Sequence, residues 1–324
     1  MRKFRLTLAL LIAAGLSPGI LWRSEPQPLD RQAPVDIVRL DIPHAKIGPF
    51  RLNAAWQLSS DSPMFGGYSA LALRPGRTLV AASDGGRLLF LRREGGALAD
   101  AYLDRFKRVR DADKSNFDIE AMTLDDVSGR MWMAYEGSNT IERFAPDFEA
   151  EARARPPAMR NWSGNTGPEA MVRLSDGRFI VLSEGTGGLF RSAYRGLLFA
   201  GDPTDRATPA PVRFGLEGTD GYAPVDMAAL PDGRVLILLR KLRWPFPPRF
   251  GSAIAIADPA RIAAGKPWQA RVIARLDAPV PSDNYEGIAV EIGRQGERFV
   301  WLISDDNDMQ HFQRTLLLRL RWAD

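Results

Sequence analysis

The chain has no cysteine and only two histidines, His44 and His311, among its 324 residues. The absence of cysteine excludes disulfides, thiolate zinc sites and a cysteine nucleophile. With so little histidine and no G-x-S-x-G motif, the sequence also argues against a Ser-His-Asp hydrolase. A metal site in this chain would rely on oxygen ligands, which suit Ca²⁺ or Mg²⁺ rather than zinc.

Clusters of basic residues are also missing. The net charge of +4 and the pI near 9.5 arise from 37 arginines and six lysines that are scattered along the chain. Proteins that bind nucleic acid gather such residues into patches, so we expect no nucleic-acid partner. The hydrophobic fraction of 45% and the charged fraction of 25% are ordinary for a soluble globular protein.

The N-terminal segment has the pattern of an export signal. Arg2, Lys3 and Arg5 precede an apolar run over residues 6–16. Because no clear cleavage site follows, we predict that residues 1–22 are either a signal peptide or an N-terminal anchor, with a buried first helix as the alternative. Residues 23–34 are predicted to be a linker. The protein is therefore expected to be exported, either periplasmic or anchored to the periplasmic side of the inner membrane, with no other membrane contact.

A hairpin-like unit recurs along the remainder of the chain. Short apolar runs flank a glycine-containing turn between Glu120 and Glu136, which predicts a β-hairpin. The ends of a hairpin lie side by side, so these two carboxylates are expected at the same edge. Equivalent strands begin at residues 69, 120, 169, 226 and 286, a spacing of 49 to 60 residues. This period predicts an all-β fold, a single β-propeller over residues 35–324.

The number of blades is left at five or six. Five repeats are clear, and segments 36–42 and 50–58 precede them without a hairpin of their own. We predict that these N-terminal segments pair with residues 316–322 and close the propeller, which removes an exposed sheet edge. We expect the closed propeller to be a monomer.

The innermost strands of a propeller line its central channel, so equivalent residues should form rings there. The first predicted ring consists of Ser69, Glu120, Glu169, Asp226 and Glu286. The second consists of Asp84, Glu136, Glu184, Arg240 with Lys241, and Asp305 with Asp306. Carboxylates crowded in this way either raise one another's pKa or hold cations. We therefore predict a Ca²⁺ site, with Mg²⁺ as the alternative, whose candidate ligands are Asp84, Glu120, Glu169, Asp226, Glu286, Asp305 and Asp306.

Catalytic roles are predicted for other residues of the rings and for His311, which follows the last ring position in the sequence. A hard cation can act as a Lewis acid and activate a bound water. Glu136 and Glu184 are candidate general bases, and His311 is a candidate proton donor. Arg240 and Lys241 are candidates to bind an anionic substrate. The alternative is that the acids pair with backbone N–H groups or with arginines, and that His311 is an ordinary surface residue.

Several short motifs resemble a known family when taken together in this order. They are Phe-Gly-Gly-Tyr-Ser at 65–69, Asp-Ile-Glu-Ala at 118–121, Gly-Pro-Glu-Ala at 167–170, Asn-Tyr-Glu-Gly-Ile at 284–288 and Ser-Asp-Asp-Asn at 304–307. The set resembles the phytase-like family described as "esterase-like activity of phytase", over residues 65–322. The resemblance implies a bacterial exported propeller, distantly similar to calcium-dependent phytases whose channel-mouth acids hold calcium ions. Ser69, Arg240 and Lys241 depart from that pattern because they stand where acids are expected.

These observations favour a calcium-dependent hydrolase of a small anionic ester, most simply a phosphoester. Two alternatives remain open at the level of sequence. One is a lactonase-like hydrolase, and the other is a periplasmic binding or scaffold propeller without catalysis. Fold by itself supports none of these activities over the others.

Overall fold

The computed structural model describes residues 33–43, 45–76, 78–94, 96–106, 118–164, 166–187, 190–243, 249–307 and 313–323. The predicted export segment, almost all of the predicted linker, His44 and His311 lie outside these ranges. Within them, no helix is both long enough and apolar enough to span a membrane.

The described residues form five small sheets. The first blade comprises β4 (Tyr68–Arg74), β5 (Thr78–Ser83), β6 (Arg87–Glu94) and β7 (Ala97–Arg105). The second comprises β8 (Ile119–Leu124), β9 (Met131–Tyr135), β10 (Thr140–Phe144) and β11 (Ala150–Ala154). The third comprises β12 (Pro168–Arg173), β13 (Phe179–Gly187), β14 (Phe190–Phe199), β15 (Val212–Glu217) and β19 (Pro267–Gln269).

The fourth and fifth blades complete the ring. The fourth comprises β16 (Ala223–Ala229), β17 (Val235–Arg243), β18 (Arg249–Ala257) and β20 (Arg271–Arg275). The fifth comprises β21 (Tyr285–Ile292), β22 (Arg298–Ser304), β23 (Thr315–Trp322), β3 (Phe50–Ser59), β1 (Asp36–Arg39) and β2 (Lys46–Ile47). Short 3-10 turns occur at Pro157–Met159 and Pro259–Arg261.

The five innermost strands form a closed circle. β4 contacts β8, β8 contacts β12, β12 contacts β16, β16 contacts β21, and β21 returns to β4. The prediction of an all-β propeller is therefore confirmed, and the number of blades is five.

Both ends of the described chain meet in the fifth blade. β3 pairs antiparallel with β23, with Leu58 opposite Thr315 and Phe50 opposite Trp322. This confirms the predicted pairing of segment 50–58 with the C-terminal strand. β1 lies one strand further out and pairs with β3. Segment 36–42 was predicted to pair with residues 316–322, and this part of the prediction is wrong. The closure covers edges that an open sheet would expose.

The core consists of layers between neighbouring blades. In β17 all five residues from Val235 to Leu239 are buried. Val235, Ile237 and Leu239 pack in a cluster with residues of the third blade. Leu236 and Leu238 pack with residues of the fifth blade. Alternate side chains point to opposite faces of a strand, so a strand covered on both faces has an uninterrupted apolar sequence.

A register irregularity interrupts every innermost strand near its start. The irregularities fall between Tyr68 and Ala70, Ile119 and Ala121, Pro168 and Ala170, Pro224 and Asp226, and Tyr285 and Gly287. In each case one residue is left out of the strand pairing, as in a β-bulge. The five bulged residues are Ser69, Glu120, Glu169, Val225 and Glu286.

This register corrects one member of the first predicted ring. Asp226 was matched with Glu120, Glu169 and Glu286 because it is acidic, but Val225 occupies the bulged position in the fourth blade. A shift of one residue turns a side chain to the opposite face of a strand. Asp226 therefore does not share the direction of the three glutamates.

Asp226 instead connects three blades from a fully buried position. Its two carboxylate oxygens accept hydrogen bonds from the backbone N–H groups of Met227 (2.8 Å) and Ile288 (2.7 Å). The backbone N–H of Leu71 also donates to this carboxylate. Burial raises the pKa of Asp226 well above its usual value, and the three hydrogen bonds oppose that shift. The innermost strands approach closely here, since a Cβ on Gly287 would lie 2.7 Å from the Cβ of Leu71.

Replacing Asp226 with alanine is expected to destabilise the protein by about 3 kcal/mol or more, because each buried N–H left without an acceptor costs about 1–3 kcal/mol. Urea unfolding would measure the loss. Asp232→Ala is the matched control, since Asp232 lies in an exposed turn and pairs with Arg234 at 2.6 Å. The control should cost about 1 kcal/mol or less. Equal losses in the two variants would contradict the proposed linkage of three blades.

Candidate cation site

Three equivalent positions of each blade lie around the bulges. The bulged residues are one set. A second set on the second strands consists of the residues that each follow the pairing partner of the residue just before the bulge, and these are Asp84, Glu136, Glu184, Arg240 and Asp305. The residues two positions before the bulges are Gly67, Asp118, Gly167, Ala223 and Asn284. Backbone hydrogen bonds join the last two sets, from Asp84 to Gly67 (3.2 Å), Glu136 to Asp118 (2.9 Å) and Asp305 to Asn284 (2.8 Å). The fold therefore presents the same three positions from each blade.

In the second blade all three positions are acidic. Asp118, Glu120 and Glu136 each place a carboxylate oxygen within 4.8 Å of those of the other two. Asp118 and Glu120 alternate with Ile119, which is buried, so both side chains point away from the core. Glu136 joins them because Tyr135, just before it, pairs with Ile119 across the hairpin. The predicted meeting of Glu120 and Glu136 thus occurs, with Asp118 as a third member.

Crowding shifts the proton affinity of this group. Burial raises the pKa of Glu120 well above its usual value, and the charges of Asp118, Glu136 and Asp84 raise it further, while Arg240 opposes the shift. Burial also raises the pKa of Asp118 and of Glu136. Without a cation, the cluster is therefore expected to retain protons.

Glu169, the bulged acid of the third blade, extends the cluster. Burial raises its pKa well above the usual value, followed by the charges of Glu120, Glu136 and Glu184. Its carboxyl group shares a hydrogen bond with Glu136 that raises the pKa of Glu169 and lowers that of Glu136. Glu169 therefore belongs with the crowded acids of the second blade.

A different arrangement holds in the fourth and fifth blades. The guanidinium of Arg240 is hydrogen-bonded to Glu286 and contacts Glu184 at 3.4 Å. Asn284 donates to Glu286 at 2.7 Å and accepts from Arg240 at 3.3 Å. The ring of Phe250 lies 5.6 Å from the guanidinium carbon. Arg240 thus offsets the charge of two predicted site acids.

The remaining acids of the predicted metal set contact backbone or arginine. Asp84 accepts from the Gly85 N–H (2.5 Å) and pairs with Arg87 (3.5 Å). Asp305 accepts from the Asn307 N–H at 2.7 Å. Contacts with backbone N–H groups and arginines are those expected if these acids do not bind a metal. The metal-binding roles assigned to them stay predictions.

Two further residues link the fifth blade to the first and the first to the second. Asp306 accepts from the Gly67 N–H (2.8 Å) and the Thr315 hydroxyl (3.1 Å). A side chain on Gly66 would clash with this carboxylate, since a Cβ there would lie 2.8 Å from it. Ser69, at the bulge of the first blade, donates to the Ile119 carbonyl at 2.5 Å.

Sequence reasoning missed Asp118 as a site residue, although the alternation Asp118-Ile119-Glu120 was available as a signal. Of the predicted ligands, Glu120 lies in the three-carboxylate cluster and Glu169 and Asp84 influence its charge. Glu136, predicted as a base, belongs to the cluster itself. His311, the predicted proton donor, lies outside the described residues.

A cavity of about 350 Å³ adjoins this group between the third and fourth blades. It is lined by Glu184, Tyr194, Gly221, Ala223, Arg240, Lys241, Leu242 and Phe250. Glu184 and Arg240 belong both to the cavity and to the ring positions, so the two features are contiguous. The two predicted substrate-binding cations, Arg240 and Lys241, therefore line the same space.

A five-bladed propeller with an acidic group around its innermost strands is the class of protein that these features define. The sequence model of the family "Phytase-like: Esterase-like activity of phytase" matches residues 63–308. The chain belongs to this phytase-like family. No curated protein matches the chain.

Several solved structures are similar to this chain at low sequence identity. The PQQ-bound aldose sugar dehydrogenase from Streptomyces coelicolor is 10% identical, with 90% of this chain and 99% of that chain covered and a TM-score of 0.47. U3-55K is 8% identical, with 88% and 98% covered and a TM-score of 0.44. A chain of a nidogen/laminin complex is 11% identical, with 87% and 96% covered and a TM-score of 0.43. These similarities carry no information about a substrate.

The raised pKa values predict how stability depends on pH when divalent cations are removed. A group whose pKa is raised on folding contributes stability below its unfolded value, 4.5 for glutamate, and loses it as the pH rises through the folded value. In EDTA, the wild type should therefore lose stability relative to Glu120→Gln between about pH 5 and pH 8. Thermal melting across this range would measure the difference.

Asp176→Asn is the matched control for this experiment. Its hydrogen bond with Arg178 lowers the pKa of Asp176, so this carboxylate titrates below the tested range. The difference between the wild type and this control should stay constant from pH 5 to pH 8. Parallel curves for the wild type and Glu120→Gln would contradict the assigned electrostatics.

Proposed function

We propose that this protein is a calcium-dependent hydrolase of a small anionic ester, with phosphoesters as its substrate class. The observation that carries the proposal is the convergence of Asp118, Glu120 and Glu136 within 4.8 Å. Membership in the phytase-like family supports it, since the name of that family describes an esterase-like activity.

The donor set fits a hard cation. Asp118, Glu120 and Glu136 offer only carboxylate oxygens, which Ca²⁺ and Mg²⁺ prefer. Oxygens bound to one Ca²⁺ at about 2.4 Å can lie no more than about 4.8 Å apart, and the three carboxylates meet that limit. A divalent cation would also replace the protons that the crowded acids otherwise retain.

The chain's own residues would then divide the remaining tasks. The bound cation would polarise the ester and lower the pKa of an attacking water. Glu184 is the candidate base, because its side chain is 30% exposed and oriented by Arg240. Glu169, whose pKa is raised by burial, lies beside Glu136, and Arg240 and Lys241 would orient the anionic group.

The cellular setting completes the proposal. The pattern of residues 1–22 supports export to the periplasm, either as a released protein or as an anchored one. The partner we propose is a small anionic substrate rather than a nucleic acid, since the arginines are scattered.

Two other functions are each supported by one observation. A non-catalytic binding or scaffold propeller is supported by Arg240, which is already paired with Glu184 and Glu286. A lactonase-like hydrolase is supported by the single compact group of ligand-like acids found in the described part of the chain. Substrate panels separate these alternatives from a phosphoesterase.

Calcium is expected to stabilise the folded protein. At a concentration about 100-fold above its Kd, a bound ligand adds about 2.7 kcal/mol, which should raise the Tm by about 4 °C after EDTA treatment. Glu120→Gln and Asp118→Asn should abolish the increase, because each removes a charged ligand. Asp100→Asn, at an exposed acid of β7, should retain it. An unchanged Tm on addition of Ca²⁺ would exclude the cation site.

The substrate class is tested by turnover. We expect calcium-dependent hydrolysis of p-nitrophenyl phosphate, and slower hydrolysis of p-nitrophenyl acetate and of a lactone panel. Glu120→Gln and Glu169→Gln should each lower kcat/KM by about 100-fold, since electrostatic and acid–base contributions to catalysis have this magnitude. Turnover that survives both substitutions would exclude the site. Calcium binding without turnover of any substrate would favour the scaffold alternative.

A further inference from the structure

We propose that the cavity between the third and fourth blades is a subsite for a flat apolar group of the substrate. The preferred ester would then carry one aryl or similarly flat group beside a single anionic group. This inference rests on the proposed function, because the anionic group is placed against the ring positions that adjoin the cavity. It goes further in naming what else the substrate must contain.

The cavity wall has an apolar part. Tyr194, Phe250 and Leu242 line it together with the small residues Gly221 and Ala223. Leu242, on β17, is 45% exposed. Burial, and then the charge of Glu184, raise the pKa of Tyr194, so its phenol is neutral at neutral pH. Two rings and one exposed aliphatic side chain form a surface suited to a flat apolar group.

The charged residues around the cavity leave one cation, Lys241, to bind an anionic group. Arg240 is already shared between Glu184 and Glu286. Lys241 has no acidic partner among the described residues, and its ammonium lies 5.5 Å from the centre of the Tyr222 ring. One available cation beside a bound Ca²⁺ matches a single phosphoryl group. A molecule with many phosphates would find no second cation without an acidic partner among the residues that line the cavity.

The volume agrees with a small substrate. Ligand pockets span about 300–1,000 Å³, and this cavity of about 350 Å³ lies near the lower end. A phenyl ring fits a cavity of about 150 Å³, so this cavity has room for the ring and for an attached anionic group. Its volume is therefore compatible with an aryl phosphate.

Equilibrium binding tests the subsite without relying on turnover. In the presence of Ca²⁺, calorimetry would compare phenylphosphonate with methylphosphonate, which have the same anionic group and differ in the ring. Phenylphosphonate should bind at least tenfold more tightly. Leu242→Glu should reduce this preference to less than threefold, because it places a carboxylate at the exposed apolar wall. Phe250→Ala should reduce it in the same way.

Val127→Glu is the matched control, since Val127 is 96% exposed in a turn of the second blade and does not line the cavity. This variant should keep the full preference. Because Leu242 is exposed, Leu242→Glu remains informative even if Phe250→Ala fails to fold. Equal affinities for the two phosphonates in the wild type, or no detectable binding of either, would overturn the subsite.

The outcome is separable from that of the proposed function. A clear preference for phenylphosphonate in a protein that hydrolyses no ester would support the subsite and refute the hydrolase. Hydrolysis of p-nitrophenyl phosphate with equal phosphonate affinities would refute the subsite and leave the hydrolase standing. Tighter binding of inositol hexakisphosphate than of phenylphosphonate would also overturn the inference.

Discussion

Electrostatic repulsion among carboxylates, sustained by a closed ring of strands, is the constraint on which the candidate site depends. Pairing of β3 with β23 closes the ring, so the innermost strands cannot separate to relieve the repulsion. Asp118, Glu120 and Glu136 are consequently held together although burial raises the pKa of all three and neighbouring charges raise those of Glu120 and Glu136 further. The free energy of packing between blades supports this arrangement, as is common where a site departs from what stability favours.

Charge at the ring positions is not distributed evenly. The second blade contributes three acids, and the third contributes Glu169 and Glu184. In the fourth blade, Val225 and Arg240 occupy the equivalent places, so the acidic region ends there. Arg240 pairs with acids on both sides and separates the group of crowded carboxylates from Glu286. The fourth blade thereby breaks the fivefold repetition of these positions, because it places a guanidinium among carboxylates.

Much of the fold could be predicted from the sequence because it is repeated. The spacing of hairpins predicts the blades, and the uninterrupted apolar run in β17 follows from burial on both faces. The number of blades and the outer place of β1 depend on long-range pairing, which local patterns do not specify. The misplacement of Asp226 has a specific cause, since matching acids by type ignores the bulge that decides which way a side chain points. Asp118 was missed because only one residue per strand was assigned to the ring.

The buried carboxylate of Asp226 has a consequence for how the blades are held together. It binds backbone groups of strands from three blades at one level, and Gly287 lets β21 approach β4 closely there. Strands that share a single carboxylate are held close together at that level. Loss of this one side chain would therefore weaken the contacts among three blades at once rather than those of a single blade.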